Sequence, residues 1–140
     1  AEPETWRGRL AWLGHLEGLK GDLTVAENLD VAERLRSATR PDAERLSAAL
    51  AAFDLAALAD RPIRTLSAGQ RRRAALARVV LSGASLWLLD EPLNALDTAA
   101  QAGFRAALER HLAAGGLAIA ATHTELGFAG MRTLELGSPA

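Results

Sequence analysis

Leu66-Ser-Ala-Gly-Gln70, Leu86-Trp-Leu-Leu-Asp90-Glu91-Pro92, Asn94-Ala-Leu-Asp97 and Thr122-His123 follow one another in that order along the second half of the chain. Ser67 and the amide of Gln70 fit a capping box, in which side chain and backbone exchange hydrogen bonds at a helix start. The helix is predicted to run to about Leu81, with Ala75, Leu76 and Val79 turned inward. Backbone N–H groups of Ser67, Ala68, Gly69 and Gln70 would then address an anion at the positive end of a helix dipole. Gly69 would allow close approach, having no side chain. Taken alone, the pentapeptide reads equally well as an ordinary capped helix. Leu86–Leu89 is a short apolar run of the kind found in parallel strands buried on both faces. It ends in the paired carboxylates Asp90 and Glu91, at the strand end where open α/β sheets bind ligands.

The flanking sequence extends this pattern in both directions. Arg9–Leu13 reads as a strand leading into a loop over Gly14–Leu23. Thr24-Val-Ala-Glu27 fits a second capping box, opening a helix through about Ser37 with Leu29, Ala32, Glu33 and Leu35 on one face. Pro41, a favoured first-turn residue, starts another helix carrying Leu46, Leu50 and Phe53 on one side. Asp60–Thr65 is punctuated as a loop. A helix from Thr98 to about Ala114 stops at Gly115-Gly116. Strand Leu117–Ala121, a turn or short helix near Leu126–Ala129, and a last strand Arg132–Leu136 complete the series. Alternating strand and helix predicts an α/β fold with a parallel sheet and crossover connections. Three segments are expected: a strand and loop at 1–23, a helical subdomain at 24–60, and the main α/β part at 61–140.

Composition narrows the function classes. The 140 residues are 49% hydrophobic and 24% charged, within the range of one soluble globular domain with a sizeable core. A formal charge of -1 leaves no electrostatic footprint for nucleic acid. Arg71-Arg-Arg73 is the one basic cluster and reads as a solvated or acid-paired helix face. The absence of Cys excludes disulfides, thiolate metal sites and Cys nucleophiles. No apolar run approaches the roughly 20 residues that span a bilayer, so membrane contact is expected only through a partner. The single Lys, Lys20, sits in Gly18-Leu-Lys-Gly21 without a following Ser or Thr, so it does not close a G-x-x-x-x-G-K-[ST] phosphate loop. With Met131 as the one Met, the chain is expected to lack an amino-terminal third. His15 reads as a packing or loop residue and His111 as a solvated helix residue.

The four stretches, in this order and spacing, resemble the second half of an ABC-type ATPase, and so imply a partial P-loop NTPase fold. The resemblance implies Asp90 as the Mg²⁺-side ligand and Glu91 as the carboxylate that aligns or deprotonates the attacking water. His123 matches the switch histidine and Asp97 the D-loop aspartate. Ser67, Ala68, Gly69 and Gln70 match the signature that contacts ATP held by a second ATP-binding subunit, so the working site would form across a dimer. ATP and Mg²⁺ are the implied cofactors. The implied partner is a transmembrane transporter subunit, with the chain peripheral at the cytoplasmic face of the inner (plasma) membrane.

Leu13-Gly-His15, Gly18-Leu-Lys20 and Leu23-Thr-Val-Ala-Glu27-Asn-Leu29, with Ala68 in the signature, resemble the ATP-binding subunits of haem exporters used in cytochrome c maturation. That likeness implies a transport ATPase coupling hydrolysis to haem export. Another export system, or a catalytically silent fragment, shares the same residues. A DNA-repair or chromosome-organising ATPase would carry a heptad-patterned insertion or basic surfaces, and neither is present. One departure concerns the Q-loop glutamine, whose place falls near Leu16, a side chain with no donor or acceptor; Glu17 stands beside it.

Overall fold

A computed structural model describes residues 8–137. Strand β1 (Leu10–Leu13) is followed by helices α1 (Val25–Ser37), α2 (Ala43–Ala52) and α3 (Ala68–Leu81). Strand β2 (Leu86–Asp90), helix α4 (Thr98–Ala113) and strand β3 (Leu117–Ala121) come next. The strands form a parallel sheet in the order β1-β2-β3, with Leu13 opposite Leu89 and Asp90 opposite Ala121. Each crossover carries helices, as parallel pairing requires.

Local chemistry sets each helix start. The Thr24 hydroxyl accepts from the Glu27 amide at 3.1 Å, and Glu27 near the start with Arg34 and Arg36 near the end suits the α1 macrodipole. Asp42 caps α2 by accepting from Arg45 N, so Pro41 lies one residue before the cap instead of in the first turn. At α3 both halves of the Ser67/Gln70 box are present. Asp97 accepts from Ala100 N at 2.8 Å and caps α4.

A single apolar core joins Val25 and Leu29 of α1, Leu50 of α2, Leu76 and Val79 of α3, Trp87 and Leu89 of β2, and Phe104 of α4. Asn28, itself buried, is satisfied at both ends of its amide. Its Oδ1 accepts from Lys20 N at 2.7 Å, and Nδ2 donates to Lys20 O and Thr24 O at 3.1 and 2.9 Å. Buried amides persist only when paired in this way, and these bonds fix the loop that enters α1. Glu33, also buried, receives a two-pronged contact from Arg36 at 2.6 and 3.2 Å.

Three expectations are corrected. Leu35 is 83% exposed, because Val25 and Leu29 supply the buried stripe of α1. Strand β2 is fully covered on one side only, with Trp87 and Leu89 buried but Leu86 and Leu88 half-buried. On that open face Trp12 and Ile119 are 70% and 63% exposed on either side of Leu88. Arg132–Leu136 is not a strand: among the described residues β3 pairs with β2 alone, and Leu134 and Leu136 lie exposed with no surface to bury their alternate side chains. Near Leu126–Ala129, where a turn or short helix is expected, the chain takes a turn at Ala129 and Gly130.

Candidate functional site

The chain reverses direction where β2 ends. Glu91 takes a left-handed φ of 44° before the fixed ring of Pro92, and its N–H donates to Ala121 O at 2.8 Å. Its carbonyl accepts from Asn94 N at 3.0 Å, closing the turn. Such a φ costs a bulky residue about 1–2 kcal/mol and persists where surrounding bonds over-determine it.

These bonds carry the Glu91 side chain toward the end of β3. Thr122 Oγ1 donates to Glu91 Oε2 at 3.2 Å, and the His123 amide donates to Oε1 at 3.1 Å. The His123 ring is fully exposed, with Nε2 at 3.7 Å from the same Oε1. Both carboxylate oxygens are thus held by donors while the group keeps a solvent-facing side. Asp90 is half-buried beside it at the last position of β2.

Ser67–Gln70, the segment that resembles a signature, lies at the start of α3. Ser67 and Gln70 spend their side-chain bonds on each other, with Ser67 and Ala68 exposed at the start of α3. Gly69 meets the Asn94–Asp97 turn: a Cβ there would stand 2.8 Å from Ala95 O. Ala95 has a φ of 62°. Glu91, Thr122 and His123 are therefore brought together, while Gly69 is brought against the turn that precedes Asp97. No side-chain bond joins these two groups among the described residues.

Each arginine of the basic cluster binds carbonyls and none pairs with an acid among the described residues, with Arg72 buried and Arg71 and Arg73 half-buried. Arg71 donates to Leu66 O at 2.7 Å and Arg73 to Phe53 O at 3.0 Å. Arg72 is buried and donates to Gly14 O, Asp90 O and Glu91 O. Burial pushes its guanidinium below the ordinary value, opposed by the charges of Glu17, Asp90 and Glu91. Arg78 is likewise lowered by burial and donates to Glu17 O. Sequence reasoning missed Arg72 because its acceptors lie 18, 19 and 58 residues away; its fourth-position spacing to the inward Leu76 was the available signal. His111 is also no solvated residue: it stacks on Trp87 with centroids 3.9 Å apart and meets Leu117 O at 2.8 Å. His15 and Leu16 are exposed.

A parallel sheet with carboxylates at a strand end and a capped glycine-bearing helix start fits an ATP-binding cassette type of protein. The chain belongs to the ABC transporter family, whose profile matches residues 1–94. Among curated relatives, the cytochrome c biogenesis ATP-binding export protein CcmA of Gluconobacter oxydans is 50% identical over 94% of this chain and 59% of its own length. The protein of the same name from Cupriavidus necator is 49% identical over 94% of this chain and 62% of its own. The chain thus spans about three fifths of these relatives. A solved dimeric ATP-binding cassette in a post-hydrolysis state, bound to ADP and phosphate, shares the fold with a TM-score of 0.76 at 23% identity, covering 86% of this chain and 55% of that one.

Family membership implies nucleotide binding, and the donors present supply part of such a site. Asp90 offers one carboxylate, the Leu16 side chain offers no ligand atom, and no three His, Cys, Asp or Glu side chains group to hold a metal among the described residues. The sequence holds no G-x-x-x-x-G-K-[ST] loop. These residues alone do not hold Mg²⁺ or cradle a triphosphate.

Proposed function

We propose that the chain is the signature- and carboxylate-bearing portion of an ATP-binding subunit that couples ATP hydrolysis to export, with haem for cytochrome c maturation as the cargo. The observation that carries this reading is the Glu91 carboxylate held by Thr122 and His123 at the end of β2. The relatives' shared name supports the choice of cargo. In this reading residues 24–60 form a helical subdomain between core segments 1–23 and 61–140.

Glu91 orients a water for in-line attack on the γ-phosphate and accepts its proton, with His123 beside the reacting group. Asp90 would stand on the Mg²⁺ side of a site completed by groups outside this chain, where the ion would neutralise charge. Ser67, Ala68, Gly69 and Gln70 serve ATP held by a second ATP-binding subunit, and the exposure of Ser67 and Ala68 supports that placement. Asp97 takes the D-loop position between the two sites. Among the described residues no helix is long and apolar enough to cross a membrane. The subunit sits peripherally at the cytoplasmic face of the inner membrane on a transmembrane partner, without nucleic acid.

The test is ATP-driven haem movement in vesicles holding the complete gene product and its membrane subunit. Movement that stops with Glu91→Gln is expected. Export that persists at the wild-type rate in that variant, or that carries another cargo and no haem, would overturn the reading.

A further inference from the structure

We propose that Arg72 is a positioning residue that ties the loop over residues 14–17 to the backbone of Asp90 and Glu91, so that displacement of the loop reaches the water-orienting carboxylate. This rests on the role given to Glu91 above. The buried guanidinium spans two chain segments that share no strand pairing at these positions. One terminal nitrogen donates to Gly14 O at 3.2 Å, and the other to Asp90 O and Glu91 O at 2.6 and 2.7 Å. Its Nε–H has no partner among the described residues, so the two terminal nitrogens set its place.

The geometry needs an arginine. A planar fork aims two nitrogens in fixed, divergent directions, whereas a lysine ammonium is a single point on a flexible stem. What the fork grips is the carbonyl of a residue in a left-handed conformation, and the direction of the Glu91 side chain follows from that backbone angle. Arg78, further along the same helix, holds the other end of the loop at Glu17 O. Helix α3 therefore fastens the loop at both ends, and among the side-chain bonds of the described residues it is Arg72 that carries the fastening on to the end of β2. Arg71 and Arg73 reach Leu66 and Phe53 instead, which makes them internal comparisons.

Two measurements separate this role from a merely structural one. Hydrogen exchange on the complete gene product compares Arg72→Lys, Arg72→Met and Arg73→Lys. Either Arg72 variant is expected to speed exchange about tenfold in both 14–19 and 90–97, the equivalent of a lost hydrogen bond to a charged group, while 43–52 is unchanged. Arg73→Lys is expected to act near 50–55 alone. Faster exchange in only one of the two segments, or an equal rise throughout the protein, would overturn the proposal. In steady-state ATP hydrolysis, Arg72→Lys is expected to lower kcat about tenfold to a hundredfold, as small misplacements of a reacting group do, with KM for ATP within about twofold. An unchanged kcat, or a loss confined to KM, would also overturn it. If the wild-type protein hydrolyses no ATP, the function given to Glu91 fails, and the exchange pattern still decides whether Arg72 joins the two segments.

Discussion

Gly69 and Ala95 touch so closely that a side chain at 69 would place its Cβ 2.8 Å from the Ala95 carbonyl oxygen. The neighbour is backbone, held in a left-handed turn between Glu91 and Asp97, and cannot swing aside as a side chain would. The glycine therefore answers to a contact inside the chain as well as to any anion at the helix start. Gly69→Ala is expected to cost about 1–3 kcal/mol, the range for overpacking a close contact. Chemical denaturation measures this; a loss below about 0.5 kcal/mol would show that the turn gives way freely.

Thr122 holds one oxygen of Glu91 and also accepts from Thr124 N at 3.0 Å. Thr122→Val keeps the shape and removes both bonds. It is expected to lower ATP hydrolysis by the complete gene product about tenfold, since a hydrogen bond to a charged group contributes about 1.5–3 kcal/mol, while Thr122→Ser preserves the rate. Equal rates in Val and Ser variants would remove Thr122 from the arrangement.

Glu91→Gln takes away the proton acceptor and leaves the donors around it. Hydrolysis is expected to fall about 10²–10⁴-fold with nucleotide affinity retained, trapping an ATP-bound dimer visible by size-exclusion chromatography. Hydrolysis within about threefold of wild type would rule Glu91 out as the base.

Asn28 ties α1 to the preceding loop. Asn28→Ala strands Lys20 N and empties the site of a buried amide, while the carbonyls of Lys20 and Thr24 keep the backbone donors of Leu23 and Asn28. The expected destabilisation is about 1–3 kcal/mol, read as a lower denaturation midpoint with faster hydrogen exchange over 20–28. An unchanged midpoint would mean that water replaces the amide.

Leu16 is 86% exposed in the loop that Arg72 and Arg78 fasten. Leu16→Gln is therefore expected to leave stability within about 0.5 kcal/mol and to raise ATP hydrolysis, or its response to the membrane subunit, by supplying an amide. Rates unchanged with and without that subunit would sink the idea.

Elements governed by local chemistry were legible in the residues. Ser67 and Gln70 announce the start of α3, Asp97 and Thr98 that of α4, and the run Leu86–Leu89 marks β2. The meeting of Glu91 with Thr122-His123 is not legible in the residues, where His123 is matched only by resemblance; it follows from the parallel pairing of Asp90 with Ala121. What stayed hidden depends on distant surroundings. Periodicity alone cannot tell that Leu35 faces solvent, that Arg132–Leu136 finds no partner strand, or that a basic triplet divides among three sets of carbonyls. His111 looked like a wet helix residue because its stacking partner, Trp87, lies on another element.

Trp12 and Trp87 sit on opposite faces of the sheet, one 70% exposed and the other 4%. That contrast equips the chain with an optical gauge. With Trp6 replaced by Phe, a partner or segment that settles over Trp12, Leu88 and Ile119 would move the Trp12 emission toward the blue, against buried Trp87 as the internal reference. Closure of the open face thus becomes something a fluorimeter can time.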